Sequence, residues 1–141
     1  MGRLYDIVDV IGRVLLAALF IEDGWTVIHN YAATADYVAQ HGVPAVLLPL
    51  ALATQLVGGV LVILGLWTRL AALALGAFCL STAIMFHAFS PDFSEQIHFW
   101  KDLALAGGFF VLLANGARAY SVDVLWPRRG RGTTAPVETR R

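Results

Sequence analysis

The sequence predicts an all-α integral membrane protein, a four-helix bundle with both termini on the cytoplasmic side. Three observations predict it. Hydrophobic residues make up 58% of the 141 residues before the 13 glycines are added, and charged residues only 14%. A soluble domain carries about 45–50% apolar residues with glycine included and about 25% charged. Uncharged runs reach membrane-spanning length, and the basic residues fall almost entirely on one side of the fold those runs would make. Ten basic and ten acidic residues cancel, and so apolar a surface with no net charge would precipitate from water. The composition excludes a disordered chain, a highly charged nucleic-acid binder and a disulfide scaffold.

About 20 apolar residues cross the roughly 30 Å hydrocarbon core. The first span is expected at 8–28, an apolar centre flanked by Asp9, Arg13, Glu22 and Asp23. Arg13 before the apolar run 14–21 imitates a signal peptide. However, Asp6 and Asp9 spoil its basic region, and Glu22 and Asp23 stand where small residues should mark cleavage, so the segment is read as retained. A short surface helix is expected within 30–42, capped by Asn30, with Tyr31, Ala35 and Val38 on one face and a stop at Gly42 and Pro44. The second span, 45–67, has 23 uncharged residues, and the third, 70–89, has 20. The short turn Trp67-Thr68-Arg69 makes these two antiparallel neighbours. Ser90-Pro91-Asp92 begins the next connection, and the fourth span, 98–117, carries Lys101 and Asp102 near its start. The transmembrane domain is thus expected over 1–126. Residues 127–141, arginine-rich and poor in apolar groups, are expected to form a disordered cytoplasmic tail.

Orientation follows from lysine and arginine. Four spans place nine basic residues on one side: Arg3, Arg13, Arg69, Arg118, Arg128, Arg129, Arg131, Arg140 and Arg141. Lys101 alone lies on the other, so both termini are expected in the cytoplasm. With their neighbouring acids, the cytoplasmic half has a surplus of five positive charges and the outer half a surplus of five negative ones. Gly58-Gly59, Gly107-Gly108 and the i, i+4 pairs Ala72/Gly76 and Ala104/Gly108 predict close helix packing within one bundle. Trp25, Trp67, Trp100, Tyr120 and Trp126 fall where aromatic belts meet the membrane surface. The single cysteine, Cys79, is read as a small buried hydrophobe.

Ionisable groups within a span cost about 2.5–3.5 kcal/mol each at mid-helix, so those present are the best guide to function. Arg13, close to the cytoplasmic end, is expected to snorkel outward. Glu22, Thr26 and His29 make a polar stripe on the outer half of the first span, and Glu95, His98 and Asp102 one on the fourth. Lys101 lies beside the latter, His87 ends the third span and Gln55 sits in the second. All four spans thus send polar groups into the outer half of the bilayer. The expected site is an outward-facing polar pocket lined by Glu22, Asp23, Gln55, His87, Lys101, His98 and Asp102.

Three readings of this cluster stand side by side. Lys101 pairs with Glu22 or Asp23 as structural glue. The pocket takes a small polar or amphipathic ligand, such as a quinone headgroup, with His87 and Glu22 handling protons. Or His87, His98 and Glu22 ligate one metal ion; Glu95-x-x-His98 has di-iron spacing, but that architecture needs two copies and two more glutamates. Motifs for nucleotide binding, zinc proteolysis, serine hydrolysis and covalent haem are absent from the sequence.

Over roughly 8–125 the chain resembles the DoxX family of bacterial membrane proteins. The likeness is carried by Gly12-Arg13-Val14-Leu15 with Phe20 and Gly24, and by His41-Gly42-Val43-Pro44. It continues through Gln55-Leu56-Val57-Gly58-Gly59, Gly65-Leu66-Trp67-Thr68-Arg69-Leu70-Ala71-Ala72 and His87. Lys101-Asp102-Leu103-Ala104-Leu105, Gly107-Gly108 and Ser121-Val122-Asp123 complete it. The resemblance implies a four-helix, multi-pass protein of the bacterial inner membrane, associated with redox metabolism and quinone-linked in some members. It implies protein partners in a membrane complex or a homo-oligomer, with an oxidoreductase subunit as the enzymatic form and quinone as the cofactor, ahead of a metal ion. A non-catalytic anchor or assembly subunit is the alternative. The chain departs from the family pattern at Gln55, where glutamate is common, and near Val27, where a lysine is often found.

Overall fold

A computed structural model describes residues 2–87, 92–118 and 120–125. The expected tail at 127–141, Trp126 and the Ser90-Pro91 turn lie outside the described residues. Within them the chain is all helical. Helix α1 spans Gly2–His29, and the short α2 spans Tyr31–Gln40. A 3-10 turn, Ala45–Leu47, leads into α3, Leu48–Leu64. Helix α4, Thr68–Thr82, runs on into a π-helical turn, Ala83–His87. Helix α5 is Phe93–Asn115, and a single turn, α6, is Val122–Leu125.

Three stretches are long and apolar enough to cross a membrane: Ala45–Leu64, Thr68–His87 and Phe93–Asn115, of 20, 20 and 23 residues. Helix α1 is longer, 28 residues, but carries Arg3, Asp6, Asp9, Arg13, Glu22 and Asp23. It begins six residues before the expected span, and α5 begins five before. Hydropathy marks only the apolar part of a helix, whereas the i→i−4 hydrogen bonds continue into polar surroundings. The surface helix forms as expected, and Gly42, with φ +77°, follows it. Asn30 does not cap it; its side-chain amide donates back to the Thr26 carbonyl at 3.0 Å.

The helices alternate in direction, and α1 packs along α3, α3 along α4, and α4 along α5. The core is Ala17, Phe20, Val62, Ala71, Ala72, Leu75, Cys79, Ala106, Phe109 and Leu112. Phe20 meets Phe109 and Phe78 edge to face, at 5.3 and 6.4 Å between ring centroids. Small residues set the approach, as lipid supplies no hydrophobic drive of its own. A methyl group on Gly58 would lie 3.1 Å from Leu75, and one on Gly59 would lie 3.1 Å from Ile21. Gly107, by contrast, faces open space.

One end of the bundle, here the basal end, is tied by a polar knot. The α3–α4 turn is Gly65-Leu66-Trp67, two residues earlier than the expected Trp67-Thr68-Arg69. Gly65, with φ +65°, ends α3, and Leu66 N–H reaches back to the Leu61 carbonyl at 3.0 Å. This is the Schellman arrangement that favours glycine. Trp67 also has positive φ, and Thr68 already lies in α4. The Asp123 carboxylate accepts from Trp67 N–H (2.8 Å), Thr68 N–H (2.9 Å) and the Thr68 hydroxyl (2.8 Å), capping α4 from across the bundle.

Arg13 completes the knot. It does not snorkel: it is 1% exposed. Its guanidinium pairs with Asp9 at 3.0 Å and donates to the carbonyls of Val62 (3.3 Å), Ile63 (3.1 Å) and Tyr120 (2.6 Å). The last carbonyls of α3 have no partner within their helix, and a five-donor fork satisfies several at once. Those acceptors hold the side chain inward.

Candidate functional site

The apical end holds the polar residues singled out from the sequence. Close packing of Gly24 against Leu56 brings α1 and α3 together there, so the Gln55 amide donates to the Asp23 carboxylate at 2.6 Å. Gln55 is buried. Asp23 also lies in the fields of Lys101, Glu22 and Asp102. Glu22 points elsewhere: it is exposed and accepts from Thr26 Oγ1 at 3.3 Å. The third member of that stripe, His29, contacts the Trp25 carbonyl at 2.9 Å.

The second group bridges α4 and α5. Thr82 Oγ1 donates to Asp102 Oδ2 at 3.0 Å. His87 Nε2 lies 3.9 Å from the same oxygen, and His87 Nδ1 donates to Glu95 Oε2 at 2.5 Å. In a regular α-helix two residues five apart point about 140° from each other at 3.6 residues per turn. The π-helical turn widens the coil so that residues five apart stack, and Thr82 and His87 reach one carboxylate. His98 stacks on His87 with ring centroids 5.5 Å apart. Lys101 Nζ donates to His98 Nδ1 at 3.3 Å and lies 3.8 Å from Asp102 Oδ1. Its ion pair is therefore with Asp102 of its own helix, not with Glu22 or Asp23.

Helix α2 leans on this end. Tyr37 stacks on Phe86 of the π-helical turn (5.8 Å) and meets the His41 ring at a tilt (4.4 Å). Burial, and then the Glu95 carboxylate, push the Tyr37 phenol above its ordinary pKa. The polar layer thus has two halves, Asp23–Gln55 and Thr82–Asp102–His87–Glu95. The charges of Lys101 and Asp102 act on Asp23 across the gap.

Of the expected residues, Asp23, Gln55, His87, His98, Lys101 and Asp102 gather at this end, and Glu22 stands at its edge. Two further members are Glu95 and Thr82. Glu95 shares the Asp102 face by its i, i+7 spacing, a signal present in the sequence; Thr82 joins only through the π-helical turn. No three His, Cys, Asp or Glu side chains among the described residues converge as ion ligands. A groove of about 310 Å³ lies away from the polar layer, between the basal halves of α1 and α5.

The DoxX family profile matches residues 8–88. The chain is similar to Inner membrane protein YqjF of Escherichia coli (strain K12), 38% identical over 125 residues, covering 89% of this chain and 96% of that protein. It is also similar to Inner membrane protein YphA of the same organism, 28% identical over 132 residues, covering 86% of this chain and 92% of that one. No solved structure matches.

Proposed function

The chain belongs to the DoxX family and is a multi-pass protein of the inner membrane, and on that premise we propose that it is a redox-associated membrane subunit. In this reading its apical polar layer receives the headgroup of a small amphipathic ligand, a quinone. Helix α1 is its fourth span, both termini are cytoplasmic, and the polar layer faces outward. Supporting the span, Arg13 is neutralised by Asp9 and α3 carbonyls and Asp23 is held by Gln55, so the run 14–21 between them meets lipid uncharged.

The observation that carries the ligand reading is the polar line Thr82–Asp102–His87–Glu95, hydrogen-bonded at both ends with His87 Nε2 3.9 Å from Asp102 Oδ2 between them, and built on a π-helical turn. Such turns cost regular helix geometry and gather at functional sites. The donor set fits a carbonyl headgroup: Lys101 has three ammonium hydrogens, a half-exposed side chain and, among the described residues, His98 and Asp102 as its partners. His87, between two carboxylates, can hold a proton on Nδ1 against Glu95 and pass one at Nε2. A quinone, when bound, takes up two electrons and two protons, the electrons arriving from a partner protein. Asp23 and Gln55 wall the opposite side.

The test is to purify the protein in bacterial-lipid nanodiscs, extract and quantify quinone, and titrate a short-chain quinone against Trp25 and Trp100 fluorescence. Saturable binding is expected, weakened about tenfold or more in His87→Ala and in Asp102→Asn, the range of a lost charge-assisted hydrogen bond. Wild type that neither retains nor binds quinone overturns the reading. The alternative, a non-catalytic anchor or assembly subunit, is favoured by a different observation. Asp23, Asp102 and Glu95 already have intramolecular partners, as a purely structural cluster would.

A further inference from the structure

Helices α1 and α5 meet where Leu16 packs on Gly108 and Phe20 on Phe109. Toward the basal end they part, leaving the groove of about 310 Å³. Val8, Gly12 and Leu16 form one wall, and Gly108, Val111 and Leu112 the other. A side chain at Gly12 would meet nothing within 4 Å, so the glycine keeps the groove open. From Tyr5 to Leu16 it runs about 16 Å at 1.5 Å per residue, close to the roughly 15 Å depth of one hydrocarbon leaflet. Its basal mouth is charged unevenly. Asp9 Oδ2 accepts from Arg13 Nε at 3.0 Å and from the Arg118 backbone N–H at 3.2 Å, while the Arg118 guanidinium lies over the Tyr5 ring, 5.9 Å from its centroid.

We infer that this groove is a binding site for one anionic phospholipid, an acyl chain lying along Gly12 and Gly108 and the phosphate on Arg118. A slot opening sideways into the bilayer must be filled by hydrocarbon or by a second protein. A helix of that length, about 10 Å across, occupies on the order of 1,000 Å³, too much for this groove; an extended acyl chain is narrow enough. The surplus positive charge at the mouth selects an anionic headgroup, as basic pockets between spans on the cytoplasmic side do. The site rests on α1 crossing the bilayer and is independent of the apical polar layer.

The experiment uses the full chain in nanodiscs of equal parts phosphatidylglycerol and phosphatidylcholine, released into detergent and weighed intact by native mass spectrometry. Wild type is expected to carry one phosphatidylglycerol, which inorganic phosphate does not displace. Gly12→Leu is expected to lose it while keeping its helical content and melting temperature, and Gly107→Leu, on an open face outside the groove, to retain it. Arg118→Gln is expected to lower the preference for phosphatidylglycerol by about fivefold, the weight of one basic residue near an anionic surface. If Gly12→Leu does not fold, Val111→Trp fills the groove from the other wall. Retention of lipid by a folded groove-filling variant overturns the proposal. So does displacement by inorganic phosphate, or a lipid-free wild-type dimer that Gly12→Leu separates.

Discussion

At the residue scale, Arg13 has the most to lose. Its charge is buried, and four acceptors compensate it. Breaking a buried ionic network from one side costs about 3–5 kcal/mol, since the partner is left charged and the carbonyls unpaired. Arg13→Met should therefore lower stability by that amount, read as a fall in melting temperature in detergent. Arg13→Lys should recover only part of it, because an ammonium cannot span Asp9, Ile63 and Tyr120 as a planar fork does. A fall no larger than that of an exposed arginine such as Arg3 would contradict this. The same residue shows what sequence alone can say. The charge at position 13 was visible, and snorkelling is the ordinary fate of a basic residue near a span's end. Asp9 is a local i, i+4 partner, but the three carbonyl acceptors come from positions 49 to 107 residues away, and no local pattern announces them.

At the scale of elements, sequence pattern located every long helix but blurred their ends, because hydropathy reports lipid contact rather than hydrogen bonding. It also assumed a 3.6-residue period throughout. On that period Thr82 has no reason to share a face with His87, and the π-helical turn Ala83–His87 is what unites them. A π-helical turn amounts to one extra residue in an α-helix. Deleting the exposed Met85 should let the segment relax to a regular helix and turn His87 away from Asp102. Far-ultraviolet circular dichroism should barely change, while quinone affinity should fall as far as in His87→Ala. Affinity that survives the deletion would mean the turn has no part in building the site. Glu95 belongs to the opposite case: its spacing to Asp102 was legible, and what the fold adds is its contact with His87.

At the scale of the whole molecule, the question is how the chain threads the membrane. Three stretches qualify by composition, while α1, the most charged helix, has 28 residues, about 42 Å of length. Its basal half shares a hydrogen-bonded knot with the α3 end and Tyr120, and its apical half meets Gln55. It therefore runs beside α3 from one end of the bundle to the other, and cannot lie flat on the surface without breaking both contacts. In the proposed topology the charge rule faces the basal end, with Arg3, Arg13, Arg69 and Arg118, to the cytoplasm. Cys79 is 2% exposed, so the native chain offers a quiet background for labelling. Single cysteines at Gly2, Thr34 and Ser94 should divide cleanly. Thr34→Cys and Ser94→Cys should react with a membrane-impermeant maleimide added to spheroplasts, and Gly2→Cys only after the membrane is opened. If Gly2→Cys and Thr34→Cys label from the same side, α1 does not cross. The charge rule would then have to be met by three spans, with the arginine-rich C-terminal side facing opposite to Gly2. A protein so threaded could not keep Arg13 on the Tyr120 carbonyl, which ties the topology to the same contacts that Arg13→Met would break.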